Sequence, residues 1–343
     1  MPQRKLSSLW AMKHSNISIF IPHVGCPHLC SFCDQRTISG TQHLPDGDEV
    51  REICEKALGE VKSPENTEIA FFGGSFTAIP RDYMNELLSA AKDFVGAGKF
   101  RGIRCSTRPD CIDNEVLGIL ARSGVTAIEL GAQSMSDKVL EMNERGHTAA
   151  DVENAAALIR QWGFELGLQM MIGLYGSTRE DELLTMNRIV ELHPDTARIY
   201  PTVILKGTRL AELLESGEYV PFSFDEAVET AASGLVLFEG SGIRVIKCGL
   251  HASEFVEQDM VGGFYHPAFR ELCEGMIFRC NMEMQLKNEK TLPERCTFAV
   301  SPRCISKAAG HKKANTEYFR QRGIDIRITG DEELSGYQCE LRR

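Results

Sequence analysis

Residues 25–33 read Gly25-Cys26-Pro27-His28-Leu29-Cys30-Ser31-Phe32-Cys33, and they place three cysteines in one loop directly after the first predicted strand. The spacing is C-x3-C-x2-C. A cubane 4Fe–4S cluster has four irons, so three thiolates leave one iron without a protein ligand. An open coordination position is typical of catalytic metal sites, whereas structural sites are closed. The loop therefore predicts an iron–sulfur cluster with a position left for chemistry.

Two other interpretations of this loop stay open at the level of sequence. A structural zinc site would need a fourth ligand. His28 is the only close candidate, and its position between Cys26 and Cys30 is a poor one for completing a tetrahedron. Alternatively, the three cysteines simply pack in a core. The whole chain has 12 cysteines in 343 residues, and in a chain of this size without a secretory signal that indicates metal or redox chemistry rather than disulfides.

The alternation of apolar runs with helix-period segments predicts an α/β fold. Six near-continuous apolar runs suit strands that are covered by helices, and they span residues 17–22, 68–72, 103–107, 127–131, 166–172 and 198–204. We expect a capping box at Ser177 and Glu180, and helix ends at Gly124 and Gly163. Six strand–helix units predict a partial (β/α)6 TIM-type barrel, with its active site at the C-terminal ends of the strands.

The last third of the chain differs from the rest in its pattern. We expect a barrel in residues 1–240 and a small α+β C-terminal module in residues 241–343, although the apolar run 243–250 is a candidate for one more strand. Within the module, residues 303–327 carry seven basic and two acidic side chains, in a chain whose net charge is −10. Six irregularly spaced cysteines of this region are expected to pack as small hydrophobic residues: Cys248, Cys273, Cys280, Cys296, Cys304 and Cys339.

Composition excludes several classes of protein. Hydrophobic residues are 43% and charged residues 25% of the chain, which excludes global disorder and a collagen-like chain. The sequence has no apolar stretch long enough for a transmembrane helix, about 18 residues or more. The apolar run after the basic N-terminus lacks a small-residue cleavage site, so we expect a cytoplasmic location without membrane association. A chain this acidic does not coat nucleic acid indiscriminately, and any such contact must be local.

The cysteine loop after a first strand resembles that of the radical S-adenosylmethionine (radical SAM) enzymes. The resemblance implies that Cys26, Cys30 and Cys33 hold a 4Fe–4S cluster whose open iron binds the amino and carboxylate groups of S-adenosylmethionine. One electron, from an external donor of the flavodoxin or ferredoxin type, then splits that molecule into methionine and a 5′-deoxyadenosyl radical. The radical abstracts a hydrogen atom from the substrate.

The resemblance also implies which residues bind S-adenosylmethionine. Phe32 would flank it, Gly73, Gly74 and Ser75 would meet its methionyl amino group, and Ser106 stands where relatives often carry a glutamate. Gln133 would contact the ribose and Arg145 the carboxylate, for which a planar guanidinium is well suited. Gln169 is a further candidate, and the backbone of Gly173 would approach the adenine. Alternatives are a plain tight turn at the two glycines and an exposed helical arginine at residue 145.

Within this superfamily the sequence is most similar to the radical SAM domain of the Elongator catalytic subunits, which modify wobble uridines in tRNA. The likeness rests on Arg108-Pro109-Asp110, Gly131-Ala132-Gln133-Ser134, Arg145-Gly146-His147-Thr148, Ile199-Tyr200-Pro201-Thr202 and Lys206-Gly207-Thr208. Those subunits have a longer gap between the first two cysteines and a C-terminal acetyltransferase domain. No stretch after Gly249 resembles an acetyl-CoA loop, so we expect neither that domain nor its carboxymethylation reaction here. The likeness makes tRNA a candidate substrate.

Three lysines of the basic segment, Lys307, Lys312 and Lys313, are candidates for contact with RNA phosphates near the turn at Gly310. A solvated helix with a charged face is the alternative. Two other functions stay open for the chain as a whole. One is a radical SAM enzyme for a small metabolite, porphyrinogen-like or other. The second is a non-catalytic iron–sulfur protein that binds RNA.

Overall fold

The computed structural model describes residues 15–22, 24, 26, 30–34, 43–251, 254–289 and 291–342. His28, the fourth ligand of the zinc alternative, lies outside the described residues.

The described strands are β1 (Ser15–Ile21), β2 (Thr67–Gly73), β3 (Gly102–Thr107), β4 (Val125–Gln133), β5 (Glu165–Ile172), β6 (Thr196–Pro201), β7 (Val203–Leu205), β8 (Arg244–Cys248), β9 (Met260–Gly263), β10 (Arg295–Val300), β11 (Asp325–Gly330) and β12 (Cys339–Arg342).

The described α-helices are α1 (Gly47–Glu60), α2 (Arg81–Lys92), α3 (Asn114–Arg122), α4 (Asp137–Met142), α5 (Ala149–Gln161), α6 (Arg179–Leu192), α7 (Arg209–Glu215), α8 (Phe224–Gly240), α9 (Glu254–Asp259), α10 (Phe269–Lys287), α11 (Ile305–Ala309) and α12 (Ala314–Arg320). None of them is both long and apolar enough to cross a membrane.

The main sheet confirms the predicted partial barrel. Within the described residues it has seven parallel strands in the order β1-β2-β3-β4-β5-β6-β8, with β1 and β8 at its two edges. Each of the six predicted runs contributes a strand to this sheet, and the run at 243–250 supplies the seventh. The sheet therefore continues past residue 240. Alternate residues of each strand face opposite sides: Ile69 and Phe71 of β2 pack in the core beneath the helices, while Glu68 faces the barrel interior.

Two predicted details are wrong. The run 198–204 is not one strand, because β6 ends at Pro201. The amide of Thr202 still bonds to Ile172 O of β5, but its carbonyl accepts from the amide of Phe264, outside the main sheet. The residues beyond Thr202 form β7, which pairs with β9. The capping box of α6 lies one residue later than predicted, at Thr178 and Asp181. Ser177 is not the cap because its hydroxyl donates to Glu182 at 2.8 Å.

The C-terminal module is built on a three-stranded sheet in the order β11-β10-β12. Strand β10 pairs in parallel with β11 and antiparallel with β12. Helix α10 joins the module to the barrel. Its N-terminal half places Phe269 and Cys273 in the barrel core, and its C-terminal half places Phe278 and Met282 in the module core. Four of the six cysteines of the last third are buried, as predicted; Cys296 is half-buried and Cys280 is exposed.

Candidate active site

A cavity of about 730 Å³ lies at the C-terminal ends of the barrel strands. That volume is within the range of small-molecule and cofactor sites. Eleven of the twelve residues that the sequence predicts for the cluster and S-adenosylmethionine line it: Cys26, Cys30, Phe32, Cys33, Gly73, Gly74, Ser75, Ser106, Gln133, Arg145 and Gln169. Residues more than a hundred positions apart in the sequence thus meet in one place.

The described part of the cysteine loop is held through Ser31 against the C-terminal end of α4 and the start of α7. The Ser31 amide donates to Asn143 O at 3.1 Å, and its carbonyl accepts from the Leu210 amide at 2.8 Å. Its hydroxyl donates to Asn143 Oδ1 at 2.9 Å. Phe32 packs beside Leu210 in a small apolar cluster. These contacts fix the backbone between Cys30 and Cys33 without using their thiols. Within the described residues, no group of His, Cys, Asp or Glu side chains already has the geometry of a metal-ion site.

Arg145 connects the cysteine loop to the end of β4. Its Nη1 donates to Cys30 Sγ at 3.0 Å and its Nη2 to Gly131 O at 2.8 Å. The guanidinium carbon lies 5.9 Å from the centre of the Phe32 ring. Its Nε is buried and has no partner among the described residues. Arg145 follows α4 and is buried, so it is not the exposed helical arginine of the alternative interpretation. A buried cation with an unpaired N–H favours an anionic group beside it.

The two glycines at the end of β2, Gly73 and Gly74, let the backbone approach both β1 and the cysteines. Gly73 has φ +116°, and a Cβ there would lie 2.5 Å from Ile21 O. The Gly74 amide donates to the same oxygen at 2.9 Å. A Cβ on Gly74 would lie 3.4 Å from Cys26 Sγ and fill the space beside that thiol. Ser75, next in sequence, is held by Thr107 through a hydroxyl contact of 2.8 Å. This segment is more constrained than a plain tight turn, because only glycine fits at residue 73.

Two glutamines on neighbouring strands face the cavity together. A break in the β4–β5 register lies between Gly131 and Gln133, and Gln133 has φ +65°. Gln169 Nε2 donates to Gln133 Oε1 at 3.3 Å. Because a bulge re-aims the side chain that follows it, Gln133 is placed beside Gln169, where their amides form a polar side of the cavity.

A charged floor, not predicted from the sequence, lies beneath this cavity. Glu129 accepts from Arg198 Nε at 2.5 Å and from Nη2 at 2.9 Å, and from Arg104 Nη1 at 3.2 Å. Arg104 is fully buried and also pairs with Glu68 and Glu165, each at 2.7 Å. Burial opposes ionisation of Glu129, but Arg198 and Arg104 hold its pKa below the ordinary value. The sequence does contain a signal for these ion pairs, because each strand from β2 to β6 carries one charged residue in an otherwise mostly apolar run.

Gly173 is the predicted cofactor residue that does not line the cavity. A Cβ there would lie 2.5 Å from Cε2 of Phe264, so that ring covers it. Its amide donates to Glu182 at 2.7 Å, and its carbonyl accepts from the Tyr219 hydroxyl. The structure therefore gives no support to a contact between its backbone and adenine, because packing rather than ligand approach accounts for the glycine.

The three lysines proposed for RNA differ in their surroundings. Lys307 donates to the buried Glu274 at 3.0 Å, so it is part of an ion pair between α11 of the module and α10. Lys312 and Lys313 are exposed and have φ of +51° and +63° in the turn before α12. They do not form the solvated helix face of the alternative interpretation, and only these two remain available to a phosphate.

Comparison with known proteins gives the family. The model of the Radical SAM superfamily matches residues 20–189, and that of the Radical_SAM C-terminal domain matches residues 194–278. The chain belongs to the radical SAM superfamily. Both models fall on the barrel and on α10, and the first spans the cysteine loop together with Arg145. As a radical SAM enzyme, the chain uses a 4Fe–4S cluster and S-adenosylmethionine, and its residues fit them: three thiols on one cavity, a glycine beside Cys26 that leaves room, and a buried guanidinium with an unpaired N–H.

Among curated relatives, the tRNA uridine(34) acetyltransferase of Methanocaldococcus jannaschii is 29% identical over 193 residues, which is 50% of this chain and 36% of the relative. Human Elongator complex protein 3 is 29% identical over 202 residues, which is 53% of this chain and 37% of that protein. The chain thus spans little more than a third of the length of these relatives.

Solved structures share the fold of this radical SAM chain. The archaeal Methanocaldococcus infernus Elp3 with an N-terminal deletion superposes with a TM-score of 0.54 at 20% identity, over 71% of this chain and 61% of that one. Methylornithine synthase superposes with a TM-score of 0.51 at 15% identity, over 75% of this chain and 80% of that one.

Proposed function

We propose that this radical SAM enzyme modifies tRNA, at a base of the wobble-uridine type, by abstracting a hydrogen atom from it. The observation that carries the proposal is the meeting of Cys26, Cys30, Cys33 and Arg145 on one cavity of a chain whose matched relatives include a tRNA uridine(34) acetyltransferase. The matched region is the barrel. The likeness does not carry an acetyl-transfer step to this chain, because the aligned part covers 36% of that relative.

In this proposal Cys26, Cys30 and Cys33 are the ligands of the cluster. When bound, the cluster and S-adenosylmethionine supply the 5′-deoxyadenosyl radical. Arg145 binds the carboxylate of S-adenosylmethionine, since its Nε has no partner in the described part of the chain and its guanidinium is already aimed at the cysteine loop. Two Arg145 bonds, to Cys30 and to Gly131, restrain the guanidinium beforehand, so little side-chain entropy is lost on binding.

The remaining cavity residues orient the cofactor. The Gly73-Gly74 backbone offers close approach for the methionyl amino group, with Ser75 and Ser106 beside it. The amides of Gln133 and Gln169 suit ribose hydroxyls, because an amide both donates and accepts. The apolar side of Phe32 shields this end of the cavity from water. The proposed cleavage of S-adenosylmethionine is reductive, so the enzyme also needs an external one-electron donor of the flavodoxin or ferredoxin type.

For tRNA, we propose that Lys312 and Lys313 contact phosphates and that Lys307 does not, because its ammonium is bound to buried Glu274. A tRNA substrate agrees with the cytoplasmic location expected from the sequence. A small metabolite is the second candidate, because a cavity of about 730 Å³ is also of the size that encloses such ligands.

The test is anaerobic. The reconstituted protein is given dithionite and S-adenosylmethionine, and 5′-deoxyadenosine is quantified with and without bulk tRNA. Cys30→Ala is the inactive control, and Cys296→Ala is the matched control, a half-buried cysteine of the module. We expect wild type and Cys296→Ala to form 5′-deoxyadenosine faster with tRNA, and Cys30→Ala to form none. A rate of 5′-deoxyadenosine formation that is the same with and without tRNA would overturn the tRNA assignment in favour of a metabolite. No formation from a fully loaded cluster would overturn the enzymatic proposal.

A further inference from the structure

In the part of the chain that the structure describes, the edge strands β1 and β8 do not pair with each other, so the barrel is open between them. Phe20 of β1 lines the cavity from one edge, and Leu250, His251 and Phe255 line it from the segment after β8. Phe20 is 38% exposed and Phe255 is 53% exposed. Large apolar rings at the rim of a cavity indicate a surface that a ligand covers. Rings on both edges suit a flat, partly apolar group that enters from this side.

His251 is oriented by a lysine behind the cavity wall. Its Nδ1 lies 3.2 Å from Nζ of the half-buried Lys247. An ammonium only donates hydrogen bonds, so Nδ1 accepts and the ring proton is on Nε2. His251 is exposed on its outer side, and partial desolvation, with the added effect of Lys247 and Arg198, lowers the pKa of its imidazole, which favours the neutral form. His251 therefore presents an Nε2–H donor on a wall of the cavity.

The charges around His251 favour an acceptor as its partner. Arg198, which also lines the cavity, lies with its guanidinium carbon 5.0 Å from the centre of the Phe72 ring and bonds to Glu129 and to the Tyr200 hydroxyl. Burial and Arg198 lower the pKa of Lys247. Two carboxylates line this side: Glu129, which is paired with Arg198, and Glu254 at the start of α9. The wall thus offers donors backed by positive charge.

From this geometry we infer that His251, positioned by Lys247, binds a carbonyl oxygen on the edge of the substrate base. This inference rests on the proposed function, because it takes the substrate to be RNA. A base inside a duplex cannot reach a site within a barrel, so it must be extruded from its stack. The rings of Phe20, Phe72 and Phe255 provide faces for stacking an extruded base. Uracil has a carbonyl at C4, where cytosine has an amino group that cannot accept from Nε2–H.

The experiment compares variants that keep or remove the donor. His251→Gln retains an N–H near the position of Nε2, and His251→Leu removes it. The reconstituted protein is assayed anaerobically for 5′-deoxyadenosine with an anticodon stem-loop RNA carrying uridine at the wobble position, with its cytidine counterpart, and without RNA. His43→Leu is the matched control, an exposed histidine paired with Glu49 outside the cavity. We expect His251→Leu to lower kcat/KM for the uridine RNA about tenfold, the effect of losing one hydrogen bond.

His251→Gln and His43→Leu should stay close to wild type, and wild type should favour uridine over cytidine. Lys247→Met, which removes the positioning residue, should raise KM for the uridine RNA more than it lowers kcat, and Lys247→Arg should restore it. Equal activity of His251→Leu and wild type, or a His251→Gln protein as impaired as His251→Leu, would overturn the inference. A wild-type protein that no RNA stimulates would overturn the proposed function, and this inference with it.

Discussion

Nη1 of Arg145 donates to the sulfur of Cys30 across 3.0 Å, although 115 positions separate the two residues. The contact joins the loop after α4 to the cysteine loop after β1. It places the Arg145 guanidinium, which is well suited to binding a carboxylate, against the Cys30 thiol, a predicted ligand of iron. One substitution can therefore separate cofactor binding from cluster assembly, because Arg145 is not itself a thiol ligand.

Arg145→Ala should weaken S-adenosylmethionine binding by tenfold or more, since a hydrogen bond to a charged group contributes about 1.5–3 kcal/mol. Iron and sulfide content should be unchanged. Arg145→Lys should fall between, because an ammonium keeps the charge but not the planar pair of donors. Equilibrium binding and metal analysis of the anaerobic holoprotein measure both quantities. Iron loss in parallel with binding loss would show that Arg145 assembles the cluster instead.

Gly73→Ala should destabilise the fold more than Gly207→Ala. Both glycines have left-handed φ, +116° and +77°, but a Cβ at residue 73 meets Ile21 O at 2.5 Å whereas one at residue 207 meets nothing within 4 Å. Strained backbone alone costs on the order of 1–3 kcal/mol, and residue 73 adds the steric clash to it. Urea unfolding of the two apoproteins measures the difference. Equal free energies of unfolding would mean that the ends of β1 and β2 move apart freely.

Arg104→Met should lower the free energy of unfolding by about 3–5 kcal/mol, because it leaves buried carboxylates without their cation. Arg104 and its partner Glu68 are fully buried. Arg101→Met is the matched control. Its pair with Glu165, 3.2 Å long, involves a side chain that is 42% exposed, and such a pair contributes about 0–1 kcal/mol. Similar losses in the two variants would contradict the account of the charged floor.

The stability of the barrel should fall with rising pH through Glu182. Burial raises the pKa of this carboxyl from 4.5 to about 7. Because the folded-state pKa is the higher one, the unfolded chain loses this proton first, and stability present at low pH is lost between about pH 4.5 and pH 7. In wild type this loss is on the order of 3 kcal/mol in the free energy of unfolding, and Glu182→Gln should abolish it. Urea unfolding at pH 5 and pH 8 checks it, and parallel pH curves for wild type and variant would contradict it.

Much of the barrel was predictable because its signals are local. Strand runs such as 68–72 carry their apolar pattern within a few residues, and the helix ends at Gly124 and Gly163 have the expected positive φ of +80° and +82°. The cavity residues follow from one topological rule: the C-terminal ends of parallel strands share an edge of the sheet. Most of the predicted set therefore meets there, even without knowledge of any single contact.

The features that the sequence did not indicate depend on partners distant in sequence. The ion pairs of Arg104 with Glu68 and Glu129 join three strands, and strand pairing alone does not reveal which charges meet inside. Gly173 is covered by Phe264, which lies 91 positions later in the chain. The residues near Gly173 in the sequence give no sign of that contact. Likewise, the ion pair of Lys307 with Glu274 depends on the packing of α10 against α11, which the local sequence does not indicate.

The most direct test of the central claim follows the abstracted atom. Uniformly deuterated tRNA is supplied to the reconstituted protein with unlabelled S-adenosylmethionine and dithionite in ordinary water, and the 5′-deoxyadenosine formed is examined by mass spectrometry. We predict 5′-deoxyadenosine that carries one deuterium, with Cys30→Ala forming none, because the hydrogen atom would come from a carbon of the RNA. Abundant 5′-deoxyadenosine without deuterium would contradict the claim that tRNA is the substrate of this radical SAM enzyme.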